Sequence, residues 1–292
     1  MTGTGPPAGF EERGETMQRD ERNSLCYWWE RALDVDVPKP RTCIVRINRG
    51  ALIGMLDGHP PPAEAESALF KAADSIGYPL FMRTDHASGK FEWSRTCFVE
   101  RQEVLLRNIA WLVEWSMMAD IFGLPIEAIV FREYLELDWS IKVYRGMPVA
   151  PERRYFVRDG RVVCHHPYWP LASLLQGGAP ANEETYRLWQ ALCEETPEEV
   201  ALLTHYAERL GAVLPGYWSV DFARGRDGTW YWIDAALGDD SFHPECHHRL
   251  ASMAEAMAHY DEDERKALAR ILSDEEPEPD PLADLIEMEG TA

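Results

Sequence analysis

One segment, residues 217–240, constrains the fold of this chain more than any other. It reads YWSVDFARGRDGTWYWIDAALGDD, in which two β-rich runs flank an Asp-Gly pair. Such a pair between alternating hydrophobic residues predicts a tight β-hairpin. With the pair at the centre of the turn, Asp221 lies directly opposite Asp234. The other face presents the residues expected to enter a core: Val220, Phe222, Tyr231 and Ile233.

The opposed carboxylates of Asp221 and Asp234 determine what this hairpin can bind. Side-chain carbons about 5 Å apart across a ladder bring like charges together, which destabilises the pair. The repulsion is relieved if the acids share a proton or bind a cation. Hard divalent ions prefer oxygen ligands, so we predict a metal site here. The alternative is a solvent-facing hairpin whose acids tolerate each other, but its many Trp and Tyr residues argue against free solvation.

Composition narrows the class of partner. The 292 residues carry a formal charge of −21, and 46% of them are hydrophobic, enough for a sizeable core. A negative field of this size repels nucleic-acid phosphates and anionic membranes, so we expect neither as a partner. A bound anionic nucleotide therefore needs local Arg or Lys and a cation. The sequence shows no membrane span, no apolar signal-peptide core and no CxxC among its six cysteines, which indicates a reduced, cytoplasmic protein.

Periodicity and composition divide the chain into five parts. We predict a disordered start at 1–23, an N-terminal α/β region at 24–76, two α+β subdomains at 77–135 and 136–272, and an acidic disordered tail at 273–292. The predicted helices are Leu25–Leu33, Ala63–Ile76, Val104–Ile121, Glu183–Leu210 and Met253–Leu272. The predicted strands before the hairpin are Thr42–Ile47, Pro79–Arg83, Ala128–Leu137, Ile141–Tyr144, Val149–Val157 and Arg161–His165. This order favours an α+β fold over one doubly wound sheet.

Four segments, taken in order, resemble one known superfamily. They are GYPLFMRTDHASGKFEW, VFREYLEL, PERRYFVRDGRVV and the hairpin sequence VDF followed by GTWYWIDAALG. Over residues 77–241 they resemble the ATP-grasp enzymes, and most closely the small bacterial and phage-associated members. The eukaryotic initiation-factor assembly chaperones and D-alanine–D-alanine ligase are more distantly similar. The resemblance implies two α+β subdomains that clasp ATP and Mg²⁺ between them, preceded by a small N-terminal α/β region.

The first and last motifs imply phosphate and metal ligands. Asp221 and Asp234 match the family's metal-binding Asp followed thirteen residues later by an acid. Arg83 stands where the family usually has Lys, and the loop that carries Lys90 resembles a lid over the phosphates. Both cations would bind phosphate oxygens. The alternatives are an Arg83 with a solvated head and a plain surface loop.

The second motif implies a hinge that receives adenine. Backbone groups of Glu133, Tyr134 and Leu135 would bind the base beside an apolar wall, so side-chain identity matters little. Asp138 is placed where a ribose hydroxyl would bind. The alternative is an ordinary core strand with Glu133 at its edge.

The third motif implies a catalytic arginine. Glu152 and Arg154 share one face of the predicted strand, and Lys142 on the preceding strand can join them near the phosphates. By resemblance, Arg154 stabilises the transferred phosphoryl group or an acyl-phosphate, since a fixed guanidinium favours a developing anion in a dry site. The alternative is a cross-strand salt bridge.

The sequence departs from the family at Ala236. The family commonly has a metal-binding Asn at this position, two residues after the second acid, so one ligand is missing here. Asp239, Asp240 or water would have to fill the gap. The departure puts full two-metal catalysis in doubt and leaves open a nucleotide-binding protein with little turnover.

Two Cys/His clusters offer rival chemistry. They are Cys164-His165-His166 and His243 with Cys246-His247-His248. Their spacings match no standard zinc module, and adjacent His residues cannot easily face one ion. A Cys–His nucleophile is conceivable, but nothing in the sequence marks either Cys as activated.

The preferred hypothesis is an ATP- and Mg²⁺-dependent carboxylate–amine (or thiol) ligase that forms an acyl-phosphate on a small-molecule or peptide carboxylate. The alternative is an ATP-binding assembly factor or chaperone, for which the acidic tail offers a surface for a protein partner. A third hypothesis is a metal protein without a nucleotide. Specificity would lie in loops such as 168–181, where Tyr168-Trp169-Pro170 either lines a substrate pocket or, more simply, forms an aromatic corner of the core.

Overall fold

A computed structural model describes residues 21–120 and 126–243, with side chains except those of residues 118–120. Residues 1–20 of the expected disordered start, the predicted helix Met253–Leu272 and the acidic tail 273–292 lie outside the described residues. Within the described part, no helix is long and apolar enough to cross a membrane.

Two four-stranded antiparallel sheets form the body of the protein. The strands are β1 (Thr42–Arg46), β2 (Leu80–Thr84), β3 (Phe98–Val99), β4 (Ala128–Glu133), β5 (Ile141–Val143), β6 (Met147–Val149), β7 (Glu152–Arg158), β8 (Arg161–Pro167), β9 (Tyr217–Arg224) and β10 (Trp230–Leu237). The helices are α1 (Leu25–Arg31), α2 (Arg49–Leu56), α3 (Ala63–Ile76), α4 (Leu105–Asp120), α5 (Leu171–Gln176), α6 (Glu183–Cys193) and α7 (Pro197–Gly211). The sheets have strand orders β1-β4-β2-β3 and β10-β9-β7-β8, and β5 pairs with β6 alone. The predicted α+β class is confirmed.

Helices α3 and α4 cover the first sheet. Helix α3 has the predicted bounds. Its apolar residues recur at helical spacing, so Leu69 and Ile76 lie on one buried face of the helix. These pack with fully buried Met82 of β2 in one core, where each large apolar side chain contributes roughly 1.5–3 kcal/mol. Helix α2 was not predicted. It begins at an Asn48 side chain that accepts the N–H of Gly50 at 2.8 Å, an N-cap that stabilises a short helix.

The second core is built on tryptophans. Trp28 of α1, Trp218 of β9 and Trp232 of β10 are fully buried in one cluster, and the rings of Trp28 and Trp232 lie 5.2 Å apart. Helix α1 therefore packs on the second sheet, whereas β1, which follows it in the chain, belongs to the first. The region predicted at 24–76 is thus shared by both halves of the molecule, and its standing as a separate domain remains a prediction.

The chain enters the fold earlier than predicted. Asn23 accepts the N–H of Leu237 at 2.7 Å and donates to Asp240 at 2.6 Å. Arg22 donates to the carbonyl of Pro215. The expected disordered start at 1–23 is therefore wrong for residues 21–23. The first of these contacts gives a partner to the N–H of Leu237 at the end of β10, which is an edge strand of the second sheet.

A proline divides the long helix predicted at Glu183–Leu210. Helix α6 ends at Cys193, and α7 begins at Pro197, where the side chain of Thr196 accepts the N–H of Glu199 at 3.2 Å. Proline lacks an N–H and clashes with a preceding turn, so it starts a helix here rather than continuing one. Helices α5 and α6 share a small third core with the β5–β6 hairpin, and α5 lies inside the predicted loop 168–181.

The β9–β10 hairpin has the predicted pairing of Asp221 with Asp234, but a longer turn and a β-bulge produce it. Its connection spans residues 225–229 rather than an Asp-Gly pair alone, so the strands leave the turn one residue out of the predicted register. A bulge at Ile233 adds one residue on β10 and restores the register. Asp221 therefore lies opposite Asp234, as predicted.

Val220 and Phe222 of β9 are buried as predicted, but between the turn and the bulge the two faces of β10 are the reverse of those predicted. Trp230 and Trp232 enter the core with Phe222, whereas Tyr231 and Ile233 are only half-buried. A slip of one residue moves every side chain to the opposite face, so the difference in turn length alone accounts for this correction.

Candidate active site

Three charged residues stand side by side on neighbouring strands of the second sheet. The register pairs Arg154 of β7 with Asp221 of β9, and Asp221 with Asp234 of β10. The guanidinium of Arg154 donates to both oxygens of Asp221, from Nε at 2.8 Å and from Nη2 at 2.7 Å. Burial alone would lower the pKa of Arg154, but the charge and hydrogen bonds of Asp221 and the nearby Tyr168 and Glu152 together outweigh burial and raise that pKa. The cross-strand salt bridge considered as the alternative role of Arg154 is therefore present, and its acid is Asp221, the middle residue of the row.

Asp234 has its own arginine, which comes from the first sheet. Arg83 at the end of β2 donates from Nη1 to Asp234 Oδ1 at 2.7 Å, and the same oxygen accepts the N–H of Ala235 at 3.1 Å. Although burial favours the neutral acid, Arg83 and Arg132 outweigh it and lower the pKa of Asp234. The predicted repulsion between the two acids is thus relieved here by two guanidinium groups.

Buried polar contacts fix the loop that follows β2. Arg83 is 7% exposed, which argues against a solvated surface arginine. Asp85, fully buried, accepts the hydroxyl of Ser24 at 2.9 Å and the N–H groups of Glu127 and Ala128 at 3.1 and 3.3 Å. Sequence reasoning missed Asp85, because its partners are distant in the chain. It ties α1 and β4 to the start of the loop and so positions Arg83.

Lys90, further along this loop, contacts the segment between β8 and α5. Its Nζ donates to the hydroxyl of Tyr168 at 2.7 Å and lies 4.4 Å and 4.6 Å from the ring centroids of Tyr168 and Trp169. Next to it, Glu92 forms an ion pair with Arg145 at 2.8 Å. The predicted lid therefore rests on the β5–β6 and α5 side of the molecule.

Glu152 lies on the same face as the charged row, two residues before Arg154. It is 9% exposed, and no hydrogen bond of its carboxylate is found within the described residues. Burial raises the pKa of Glu152 to about 8, with Lys90 opposing the shift and Asp221 adding to it. Lys142, predicted to join this group, is exposed instead, with its ammonium 4.6 Å from the ring centroid of Trp139.

The predicted hinge leaves β4 beside an aromatic wall. Glu133 ends the strand and accepts the N–H of Arg41 at 3.2 Å, as an edge residue would. The ring of Tyr134 lies 5.2 Å from that of Phe98, and Leu135 is half-buried beyond it. Asp138, predicted near the ribose, accepts two hydrogen bonds from Arg224, at 3.1 and 2.7 Å.

Arg132 is a further buried cation that sequence reasoning missed. It is 3% exposed and lies over the ring of Trp29 at 4.8 Å, and its Nη1 donates to the carbonyl of Ile233. Burial and the neighbouring charge of Arg83 lower the pKa of Arg132 to about 9. Only its position one residue before the hinge could have drawn attention to it. It joins β4 of the first sheet to β10 of the second.

The rival Cys/His clusters fall partly outside the described residues, which exclude Cys246, His247 and His248. Within 21–120 and 126–243, Cys164 Sγ lies 2.9 Å from His243 Nε2. No group of three or more His, Cys, Asp or Glu side chains in these two ranges is arranged to hold a metal ion. Within the same ranges, no third such side chain joins Asp221 and Asp234 in an arrangement of this kind.

A family model for an ATP-grasp domain, the third family of its clade, matches residues 72–257. The chain belongs to the ATP-grasp family. The resemblance predicted from the motifs is confirmed, and this ATP-grasp protein has the ATP-binding fold of that family of ligases. No curated protein sequence matches the chain.

Solved structures share this fold at low identity. Cdc123 from Schizosaccharomyces pombe is 14% identical, with a TM-score of 0.50 over 82% of this chain and 92% of that one. A C-terminally truncated form of the same protein is 12% identical, with a TM-score of 0.51 over 82% and 90%. D-alanine–D-alanine ligase from Bacillus anthracis, complexed with ATP, is 12% identical, with a TM-score of 0.43 over 86% of this chain and 63% of that one. At such identities the similarity to Cdc123 is one of fold.

Proposed function

We propose that this ATP-grasp protein binds ATP with Mg²⁺ between its two sheets and uses it as a ligase. The γ-phosphoryl group would pass to a substrate carboxylate, and an amine or thiol would then displace phosphate from the acyl-phosphate. The observation that carries the proposal is the row of Arg154, Asp221 and Asp234, completed across the cleft by Arg83. In such chemistry the protein mainly positions the reacting groups and stabilises the negative charge that develops on them.

The hairpin acids suit Mg²⁺. The side chain of Asp234 is 40% exposed, and its Oδ2 carries no hydrogen bond described within the structure, so this oxygen is accessible to a hard cation. Asp221, 4% exposed, would become a second ligand once Arg154 releases one of its oxygens. Bound Mg²⁺ would neutralise phosphate charge. With Ala236 in place of an Asn, water and phosphate oxygens would complete the coordination.

The cations of the cleft suit the phosphates and the acyl-phosphate. Arg83 at the end of β2 and Lys90 in the segment that follows would exchange their present partners for phosphate oxygens. Arg154 would act catalytically, since its guanidinium can stabilise negative charge on the acyl-phosphate. We assign no such role to Lys142, whose ammonium faces solvent and Trp139.

Backbone groups of the hinge would bind adenine. Glu133 ends β4, which is paired with β1 and β2, and Tyr134 and Leu135 follow it, while Phe98 supplies part of an apolar wall. Asp138 would bind the ribose through the carboxylate oxygen that Arg224 does not occupy, because both hydrogen bonds from Arg224 reach Oδ2.

A second candidate is an ATP-binding assembly factor with little turnover. The motifs resemble the eukaryotic initiation-factor assembly chaperones as well as ligases, and Ala236 removes a ligand on which full two-metal catalysis depends. The acidic segment 273–292, outside the described residues, would then meet a protein partner.

Calorimetry tests the proposal directly. We expect AMP-PNP to bind in the presence of Mg²⁺ and to bind much more weakly with EDTA. Phosphate release from ATP in the presence of a panel of carboxylates and amines then separates the two candidates. Turnover supports the ligase, and binding without turnover across the panel supports the assembly factor. An absence of nucleotide binding at millimolar concentration refutes both.

A further inference from the structure

The ammonium group of Lys90 lies in a site formed by the side chains of Tyr168 and Trp169. The hydroxyl of Tyr168 accepts its hydrogen bond at 2.7 Å, and the rings of Tyr168 and Trp169 lie 4.4 and 4.6 Å from Nζ. Two aromatic faces and one oxygen acceptor are the chemistry by which proteins recognise a cationic amine.

The two aromatic residues are held in place without Lys90. The backbone N–H of Tyr168 donates to the carbonyl of Glu152 at 3.0 Å, and the carbonyl of Trp169 accepts the indole N–H of Trp189 at 2.9 Å. Their rings meet edge to face at 5.0 Å, and Trp169 is 7% exposed. The site therefore persists when Lys90 moves away.

The surroundings favour a positive charge. Burial by itself lowers the pKa of Lys90, but its interactions with Tyr168 and Glu152 outweigh burial and raise that pKa. The carboxyl of Glu152, 9% exposed, has no hydrogen bond described within the structure; burial raises its pKa, and an ammonium group bound beside it favours its ionised form.

We infer that Tyr168 and Trp169 form a subsite for the protonated amine of an acceptor substrate, which Lys90 fills in this structure and leaves when it binds nucleotide phosphate. The inference rests on the proposed function in one respect, namely that a bound phosphate draws Lys90 away. It also names the acceptor class as a primary amine, which binds as the ammonium ion and gives up a proton to solvent before its nitrogen attacks the acyl-phosphate and displaces phosphate. Arg154 lies over the ring of Tyr168 at 4.7 Å, so the amine would stand beside the guanidinium assigned to the acyl-phosphate.

Binding of n-propylammonium tests the subsite without turnover. Lys90→Ala deletes three carbons and the ammonium, which n-propylammonium replaces atom for atom, while n-propanol is the neutral control of the same size. We expect n-propylammonium chloride to raise the Tm of Lys90→Ala, and n-propanol and KCl at equal concentration to leave it unchanged. Adding Tyr168→Leu should weaken this response roughly tenfold, whereas Trp169→Phe, which keeps an aromatic face, should preserve most of it.

The wild-type protein supplies the second arm. We expect calorimetry to show n-propylammonium binding to it only when AMP-PNP and Mg²⁺ are bound, because Lys90 then vacates the site. Two results overturn the inference: no response of Lys90→Ala to the amine, or a wild-type protein that binds AMP-PNP yet never binds the amine. If the wild type does not bind AMP-PNP, the proposed function fails, and the Lys90→Ala arm still decides whether the subsite exists.

Discussion

Arg83 and Asp234 are 151 residues apart in sequence and form an ion pair of 2.7 Å that joins the two sheets across the cleft. Each is proposed to gain another partner when a nucleotide binds, phosphate for Arg83 and Mg²⁺ for Asp234. The pair therefore keeps both groups charged and close to the place where the nucleotide is expected. Exchanging one partner for another costs less than exposing either charge alone.

Replacing Asp234 with alanine should abolish Mg²⁺-dependent nucleotide binding without unfolding the protein. The carboxylate is 40% exposed, but its removal leaves the guanidinium of Arg83, 7% exposed, without an acid partner, so it should cost about 1–3 kcal/mol of stability. Calorimetric titration of AMP-PNP with and without Mg²⁺ measures the affinity, and the Tm reports the fold.

Asp227→Asn is the matched control for that variant. Asp227 lies in the turn of the same hairpin, where its Oδ1 accepts the N–H of Thr229 at 3.0 Å, a contact that an asparagine oxygen can keep. The control should bind AMP-PNP like the wild type. Equal affinities for Asp234→Ala and the wild type would remove Asp234 from the metal site.

Arg83 should tolerate lysine and not methionine. Lysine keeps a positive charge that can meet phosphate oxygens, whereas methionine keeps only the length of the side chain. We expect Arg83→Lys to bind AMP-PNP·Mg²⁺ within about fivefold of the wild type, and Arg83→Met to bind it at least about tenfold more weakly, a loss of about 1.4 kcal/mol or more. If both variants bind equally, Arg83 serves only to join the sheets.

Features that depend on nearby residues could be predicted from the sequence more fully than features that depend on contacts between distant residues. Helix α3 and the α+β class could be predicted because the spacing of apolar residues within short stretches of the sequence indicates helices and strands. The opposition of Asp221 and Asp234 follows from a two-residue turn in the sequence, and it holds in the structure only because the bulge at Ile233 offsets a longer connection. No short-range signal marks that bulge, since it depends on the packing of both faces of the sheet.

The parts of the site that sequence reasoning missed are those built by distant residues. Asp85 has partners in α1 and before β4, and Arg132 bonds to a carbonyl on β10. Neither contact leaves a periodicity or a motif in the sequence. For Tyr168 the sequence favours an aromatic corner of the core, because nothing in it brings Lys90 to that ring.

Glu152 should make the protein less stable as the pH rises. Burial raises the pKa of its carboxyl from 4.5 to about 8 in the folded state. Between these values the folded protein holds a proton that the unfolded chain lacks, so the free energy of unfolding falls with increasing pH in this window. Glu152→Gln cannot titrate, so its stability advantage over the wild type should grow by a few kcal/mol between about pH 5 and about pH 8.

Thermal or urea unfolding of the nucleotide-free protein at several pH values measures this difference. Glu136→Gln, an exposed acid in the same part of the chain, is the control and should follow the wild type at every pH. A constant difference between Glu152→Gln and the wild type would show that the carboxyl titrates near its ordinary value.

Trp29 should contribute strongly to stability through helix α1. Its ring stacks on Trp232 at 5.4 Å and lies under the guanidinium of Arg132 at 4.8 Å, so it links α1 to both sheets. Trp29→Ala should lower the free energy of unfolding by about 3–5 kcal/mol. Trp111→Ala, at a ring that is 43% exposed on α4, should cost far less, and similar losses for both would refute the linking role.

Ala236→Asn should strengthen the metal site. Ala236 lies two residues after Asp234 on the same face of β10, opposite Ser219, where the family commonly has a metal-binding Asn. An amide oxygen there would add a ligand, and we expect AMP-PNP·Mg²⁺ to bind roughly tenfold more tightly, equivalent to about 1.4 kcal/mol. Ala236→Leu, similar in size but without an oxygen, separates ligation from packing and should not tighten binding. If Ala236→Asn leaves the Mg²⁺ dependence unchanged, the cation binds away from this end of β10, and the hairpin acids then serve the arginines alone.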